Sequence, residues 1–262
     1  MIEVYELSVV YPGGVRALAP TSLRFEAGAF TVLLGASGAG KSTLLRCLNG
    51  LVRPSAGQVL DANGNDLLAH RALRAHRRTT GMVFQQHQLI GRLSVLDNVL
   101  TGRLGFHGAL RTLLPFSLAE KRLALAAIER VGLIDMALRR ADRLSGGQQQ
   151  RVGIARALVQ TPRLILADEP VASLDPKTAE RVLGLLHRIC KDDGLTAIVS
   201  LHQLDFARRF ADRIVALAGG KVVFDGAPGA LGPREVERIY GGAPAAVSDA
   251  SPTASVTLEP AA

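Results

Sequence analysis

Gly35-Ala36-Ser37-Gly38-Ala39-Gly40-Lys41-Ser42 fits the pattern G-x-x-x-x-G-K-[S/T] in full. Before it, Phe30–Leu34 is a short apolar run ending in glycine, which reads as a buried strand. After it, Ser42–Asn49 has helical character, with Gly50 where a C-terminal cap belongs. A strand, a glycine-rich loop and a helix form the context in which this pattern wraps a phosphate. Glycines let the backbone turn several N–H groups inward, and the helix start adds partial positive charge. In such a loop Lys41 reaches the β- and γ-phosphates of a nucleotide, and the Ser42 hydroxyl binds Mg2+. A glycine-rich turn without a ligand would need neither the Lys-Ser pair nor the strand–helix setting.

The same alternation continues outward. Residues 2–10 and Ser22–Glu26 read as strands, and Val59–Leu60 before Asp61-Ala62-Asn63-Gly64 as strand and turn. Residues 81–85, Leu164–Ala167 and Thr196–Ser200 are further short buried strands. Ile214–Leu217 and Val222–Phe224 form a hairpin around Gly219-Gly220. From about 94 to 160 the pattern turns helical, with Leu123, Ala127, Ile128 and Val131 at helical spacing. Thr178–Cys190 is an amphipathic helix carrying Val182, Leu185, Leu186 and Ile189 on one side. Buried strands separated by helices predict an α/β fold with a largely parallel sheet, and 94–160 as an inserted helical subdomain. Residues 2–240 are expected to form a single domain. Residues 241–262, rich in Ala, Pro and Ser and without Lys, Arg or aromatics, read as a disordered tail.

Composition narrows the class. The chain has 262 residues, 48% hydrophobic and 21% charged, enough to bury a core and unlike a disordered or fibrous protein. Lys and Arg total 31 against 23 Asp and Glu, a net charge of +8, which suggests a polyanionic partner. Trp is absent and aromatics are 4%, which weakens any base-stacking platform for nucleic acid. The two cysteines, Cys47 and Cys190, make no disulfide framework and read as small core residues. Nothing resembles a secretory signal, and no run approaches the ~18 apolar residues of a membrane span.

A second motif joins the first. Leu164-Ile165-Leu166-Ala167-Asp168-Glu169 is a buried strand ending in two carboxylates. Beside a phosphate loop, Asp168 can hold Mg2+ through water and Glu169 can polarise an attacking water as general base. Farther back, Ser145 and Gln148 form an S-x-x-Q capping box. Gly146 and Gly147 between them leave a helix N-terminus open to an anion.

Leu144-Ser145-Gly146-Gly147-Gln148, followed by Gln149-Gln150-Arg151, resembles the signature of ATP-binding-cassette (ABC) ATPases. The resemblance covers about residues 2–226. It implies a P-loop NTPase fold of ABC type, with a mainly parallel core sheet, an N-terminal antiparallel β part and the helical insert. It implies ATP hydrolysis with ATP and Mg2+ bound along Gly35–Ser42 and Thr43, and Tyr11, about 24 residues upstream, stacking on adenine. Glu169 and His202 then take catalytic roles, with His202 at the γ-phosphate. Gln85, which ends the strand 81–85, senses Mg2+ alongside Ser42 and Asp168 and couples to the membrane partner. Ser173-Leu174-Asp175 crosses a dimer interface, and Ser145–Gln148 serve the ATP of a second, head-to-tail copy.

Phe84-Gln85-Gln86-His87-Gln88-Leu89, Gly102-Arg103-Leu104-Gly105 and Leu201-His202-Gln203-Leu204-Asp205 are similar to the phosphonate-import ATPases of bacteria. That likeness implies permease subunits in the membrane, a periplasmic substrate-binding protein, no nucleic-acid partner, and a place on the cytoplasmic face of the inner membrane. Importers of phosphite, phosphate or amino acids, exporters, and soluble cassettes of DNA repair or translation stay open. Two segments carry two readings each. The insert 102–116, with Leu104, Phe106, Leu110, Leu113, Leu114, Phe116, Arg103 and Arg111, is either helical core or an apolar patch toward the permease. The run His70, Arg71, Arg74, His76, Arg77, Arg78 is either a solvated helix face or a face toward anionic lipid.

Overall fold

The structure is a computed structural model that describes residues 1–86, 88–108 and 114–241. His87, Leu110, Arg111, Leu113 and the tail 242–262 lie outside the described residues.

Two sheets organise the chain. β1 (Ile2–Val10), β2 (Arg16–Phe25) and β4 (Ala56–Asp61) form an antiparallel sheet in the order β2-β1-β4. The second sheet has six strands in the order β5-β6-β7-β3-β8-β9. These are β5 (Thr80–Val83), β6 (Leu164–Ala167), β7 (Thr196–Leu201), β3 (Phe30–Leu34), β8 (Arg213–Ala218) and β9 (Lys221–Gly226). All neighbours in it are parallel except the β8–β9 hairpin. β3 sits near the middle because it is buried on both faces. Its period-two alternation sends Phe30, Val32 and Leu34 into one core and Leu33 into another. The antiparallel sheet and α1 (Lys41–Leu48) cover the Leu33 side.

The other side carries α3 (Val95–Leu100), α4 (Leu118–Arg130), α5 (Gly146–Leu158) and α6 (Pro176–Asp192). Helices α3, α4 and α5 pack on one another, and α5 also lies on β5 and α6. One residue of the apolar spacing faces elsewhere. Leu123 is exposed while Ala124 beside it is fully buried, and on α6 Leu185 is half-buried but still packs against the core. Helical spacing leaves adjacent phases nearly equivalent, and the elements packed on α4 select between them.

Gly81 lets α5 approach the sheet. A Cβ there would lie 2.9 Å from Ile165 Cδ1 and 3.0 Å from the Ala157 carbonyl oxygen. Gly81→Val is expected to destabilise the chain by about 1–3 kcal/mol, read as a lower urea midpoint with an unchanged slope.

The basic run forms α2 (His70–Arg78), with His70, Arg71, Arg74 and Arg77 exposed as a solvated helix face would be. It has a further role that neither reading anticipated, in that Arg74, His76, Arg77 and Arg78 meet backbone carbonyls. Arg77 donates to Asn49 O and Gly50 O at the C-terminal end of α1. Arg78 donates to Gly105 O and Phe106 O, and Arg74 to His107 O, in and just after a 3-10 segment, Thr101–Phe106. His76 is buried with Nε2 2.7 Å from Leu48 O. Guanidinium groups at the end of α1 also complement its dipole. Phe106 lies between Arg103 and Arg78, with centroid distances of 3.7 and 5.5 Å, so it belongs neither to the apolar core nor to a bare apolar patch. Cys47 and Cys190 are buried, and burial pushes both thiols up to about 12. Among the described residues no helix is long and apolar enough to cross a membrane.

Candidate functional site

The site forms where β3, β6 and β7 end side by side. β3 leads into the loop Gly35–Gly40, and α1 starts at Lys41 with no side-chain cap on its first turn. The opening N–H groups of α1 are therefore left for a ligand or solvent. Gly40 makes the entry possible. Its φ is +101°, and a Cβ there would sit 2.7 Å from Ala17 O. No other residue type fits both constraints.

Lys41 is buried and folds back along the loop. Its Nζ donates to Gly35 O and Ala36 O, both at 2.9 Å. The same ammonium lies 3.3 Å from Glu169 Oε1. Ser42 Oγ donates to Asp168 Oδ1 at 2.6 Å, and Arg46 Nη2 stands 3.5 Å from Asp168 Oδ2. The two carboxylates after β6 thus meet the two polar residues of the loop, although 126 positions separate Ser42 from Asp168.

Glu169 adopts φ +43°, a left-handed conformation that costs a non-glycine residue about 1–2 kcal/mol. Its N–H donates to Ser200 Oγ at 2.8 Å, and Ser200 Oγ lies 3.1 Å from Asp168 Oδ1. His202 follows β7, with Nδ1 3.9 Å from Glu169 Oε2 and its side chain partly exposed. The His202 carbonyl accepts from the Tyr240 hydroxyl at 2.8 Å, at the last residue of the helix Pro233–Tyr240. Burial raises the Tyr240 phenol above its ordinary range.

Tyr11 approaches the loop from the antiparallel sheet, its hydroxyl 3.5 Å from Thr43 Oγ1. Gln85 stands two residues beyond the end of β5, exposed on a turn, not within the strand. The strand 81–85 expected from sequence stops at Val83. Among the described residues Gln85 makes no hydrogen bond to Ser42 or Asp168.

A second cluster surrounds the start of α5. Ser145 caps it, with Oγ accepting from Gln148 N at 3.4 Å and Ser145 N donating to Gln148 Oε1 at 2.9 Å. Gly147 presses on the first turn of α6, where a Cβ would meet Thr178 Cγ2 at 2.5 Å. Asp175 caps α6 by accepting from Thr178 N at 3.0 Å, and hydrogen bonding to Thr178 holds its carboxyl below the usual range. Ser145, Gly146, Gly147, Gln148 and Asp175 therefore lie together. Among the described residues no hydrogen bond or ion pair joins them to the Gly35–Ser42 loop.

Mg2+ fits the donors of the first cluster. A hydroxyl and a carboxylate oxygen at 2.6 Å are hard oxygen ligands, and Mg2+ is commonly held by one carboxylate together with substrate phosphates. Among the described residues no group of three or more His, Cys, Asp or Glu forms a metal cage by itself. Contacts at three residues escaped sequence reading, Arg46, Ser200 and Tyr240. Ser200 left a signal, a lone hydroxyl inside the apolar run Ala197–Leu201, whereas Arg46 and Tyr240 left none.

Residues 18–172 match the family described as ABC transporter. The chain is 64% identical over 242 residues to the phosphite import ATP-binding protein PxtA of Stutzerimonas stutzeri, covering 92% of this chain and 88% of that protein. It is 56% identical over 243 residues to the phosphonates import ATP-binding protein PhnC 3 of a Nostoc species, covering 93% of each. Among solved structures, a dimeric ATP-binding cassette in a post-hydrolysis state bound to ADP and Pi matches with a TM-score of 0.74. That cassette is 36% identical, and the match covers 87% of this chain and 99% of it. The family match spans the loop, the paired carboxylates and the capped start of α5, the two relatives cover more than nine-tenths of the chain, and the protein belongs to the ABC transporter family.

Proposed function

We propose that this chain is the ATP-hydrolysing subunit of an importer for a phosphorus oxyanion, phosphonate or phosphite. The observation that carries the hydrolytic part is the meeting of Lys41 with Glu169 and of Ser42 with Asp168 at one end of the sheet. The import part is supported by the names of the relatives. Phosphonate is the cargo expected from sequence, and the relative at 64% identity favours phosphite beside it.

In this reading Gly35, Ala36, Ser37, Gly38, Ala39 and Gly40 cradle the phosphates with backbone N–H groups, and Lys41 neutralises them. Ser42 and Asp168 hold Mg2+, with Gln85 joining them; the ion supplies Lewis-acid stabilisation of phosphate charge when bound. Glu169 orients and deprotonates the attacking water, and His202 contacts the γ-phosphate. Thr43 extends the loop, and Tyr11 flanks the base. Ser145, Gly146, Gly147, Gln148 and Asp175 complete the site of a second copy placed head to tail. The separation of the two clusters within one chain supports that arrangement. The permease, a periplasmic substrate-binding protein, the cytoplasmic face of the inner membrane and the absence of a nucleic-acid partner belong to the same reading.

The test is deletion of the gene, followed by growth with phosphite, a phosphonate or phosphate as sole phosphorus source. Loss of growth on phosphite or phosphonate, restored by the wild-type chain, is expected, with phosphate growth unchanged. Undiminished growth and uptake on both would remove the cargo assignment.

A further inference from the structure

We propose that Ser200 is a positioning residue for ATP hydrolysis, its hydroxyl setting Asp168 and Glu169 relative to each other. This rests on the hydrolytic reading above and adds to it a fully buried residue that acts through the two carboxylates.

Ser200 is fully buried in β7, whose other residues are apolar apart from Thr196 at its start. A hydroxyl in a strand covered on both faces is unfavourable unless it is hydrogen-bonded. The pairing Ala167↔Val199 sets Ser200 level with Asp168, where β6 has ended and its ladder no longer supplies partners. One hydroxyl offers one proton and its lone pairs. Here the proton goes to Asp168 Oδ1 at 3.1 Å, because the other contact, Glu169 N–H at 2.8 Å, is itself a donor. Both uses are thereby fixed, and Ser200 has no freedom to reorient.

The consequence reaches both carboxylates. Asp168 Oδ1 takes hydroxyl protons from Ser42 and Ser200, so its position is set from two elements. Glu169 sits in a left-handed conformation that its own side chain does not favour, and the bond from its N–H to Ser200 holds it there. That conformation aims the carboxylate between Lys41, at 3.3 Å, and His202, at 3.9 Å. Without the hydroxyl, Glu169 N–H loses its acceptor and the turn relaxes toward ordinary backbone angles, carrying the carboxylate off line.

The experiment compares full-length wild type with Ser200→Ala, Ser200→Cys and Ser200→Thr. It reads kcat and KM for ATP, affinity for a fluorescent ATP analogue in EDTA, and Tm. Ser200→Ala and the near-isosteric Ser200→Cys are expected to lower kcat by about ten- to a hundredfold, the effect of a misplacement on the order of 1 Å. KM and the Mg2+-free affinity should stay within about threefold, and Ser200→Thr, which keeps the hydroxyl, should recover most of kcat. Cysteine keeps the packing, so it carries the test if the alanine variant does not fold. Wild-type kcat in the cysteine variant, or a threonine variant as slow as cysteine, would overturn the role of the hydroxyl while leaving the hydrolytic reading intact. A wild-type chain that hydrolyses no ATP would overturn both.

Discussion

Glu169→Gln is expected to lower ATP turnover by about two to four orders of magnitude, the usual contribution of a general base, while ATP still binds. The amide keeps the size of the carboxylate but cannot take a proton from water. Binding should hold or tighten, because Glu169 Oε1 stands 3.3 Å from Lys41 Nζ and neutralises the charge that phosphates would use. Removing that carboxylate also removes an anion from the neighbourhood of the γ-phosphate. With hydrolysis blocked, two copies should stay joined around ATP, and size-exclusion chromatography should show a dimer that depends on ATP. Steady-state turnover near that of wild type would take Glu169 out of the role of base. Lost binding together with lost turnover would mean that its pairing with Lys41 organises the loop.

Lys41→Ala should fail at the earlier step. Its ammonium is buried, donates to Gly35 O and Ala36 O, and is the closest cation to Glu169. At 4 Å and an effective dielectric of 20, one pair of unit charges interacts by about 4 kcal/mol, which sets the scale for losing Lys41 opposite a phosphate. Part of that is returned because wild-type Lys41 must first give up Glu169. A fall in ATP affinity of about a hundredfold to a thousandfold is therefore expected, from ~1.4 kcal/mol per factor of ten. The two substitutions separate cleanly, since Glu169→Gln lowers kcat with binding kept and Lys41→Ala lowers affinity first. Equal affinity in Lys41→Ala and wild type, by equilibrium titration, would show that the backbone N–H groups hold the phosphates alone.

Most of the fold was legible because its signals are local. Phe30–Leu34 shows its burial in four apolar residues around Thr31, and Gly40-Lys41-Ser42 marks the turn into α1. The capping box of Ser145 and Gln148 needs only four adjacent residues and forms as expected. What failed was choice among equivalents. The spacing on α4 allowed Leu123 or Ala124 to face inward, and packing put Ala124 there. The arginines of α2 looked available for solvent or lipid because the carbonyls they meet, on Asn49, Gly50, Gly105, Phe106 and His107, carry no trace in side-chain chemistry.

The sequence by itself determined the chemistry. It showed a phosphate loop, two carboxylates closing a buried strand and a capped glycine pair, because each is a short pattern whose physics is complete within a few residues, while His202 was marked only by the resemblance to the family. Only the tertiary structure decided who meets whom. Strand order β6-β7-β3 brings Asp168, Ser200 and the loop to one end of the sheet, and no local pattern specifies which strands are neighbours. The same order makes an ordinary serine hydroxyl the contact between both carboxylates.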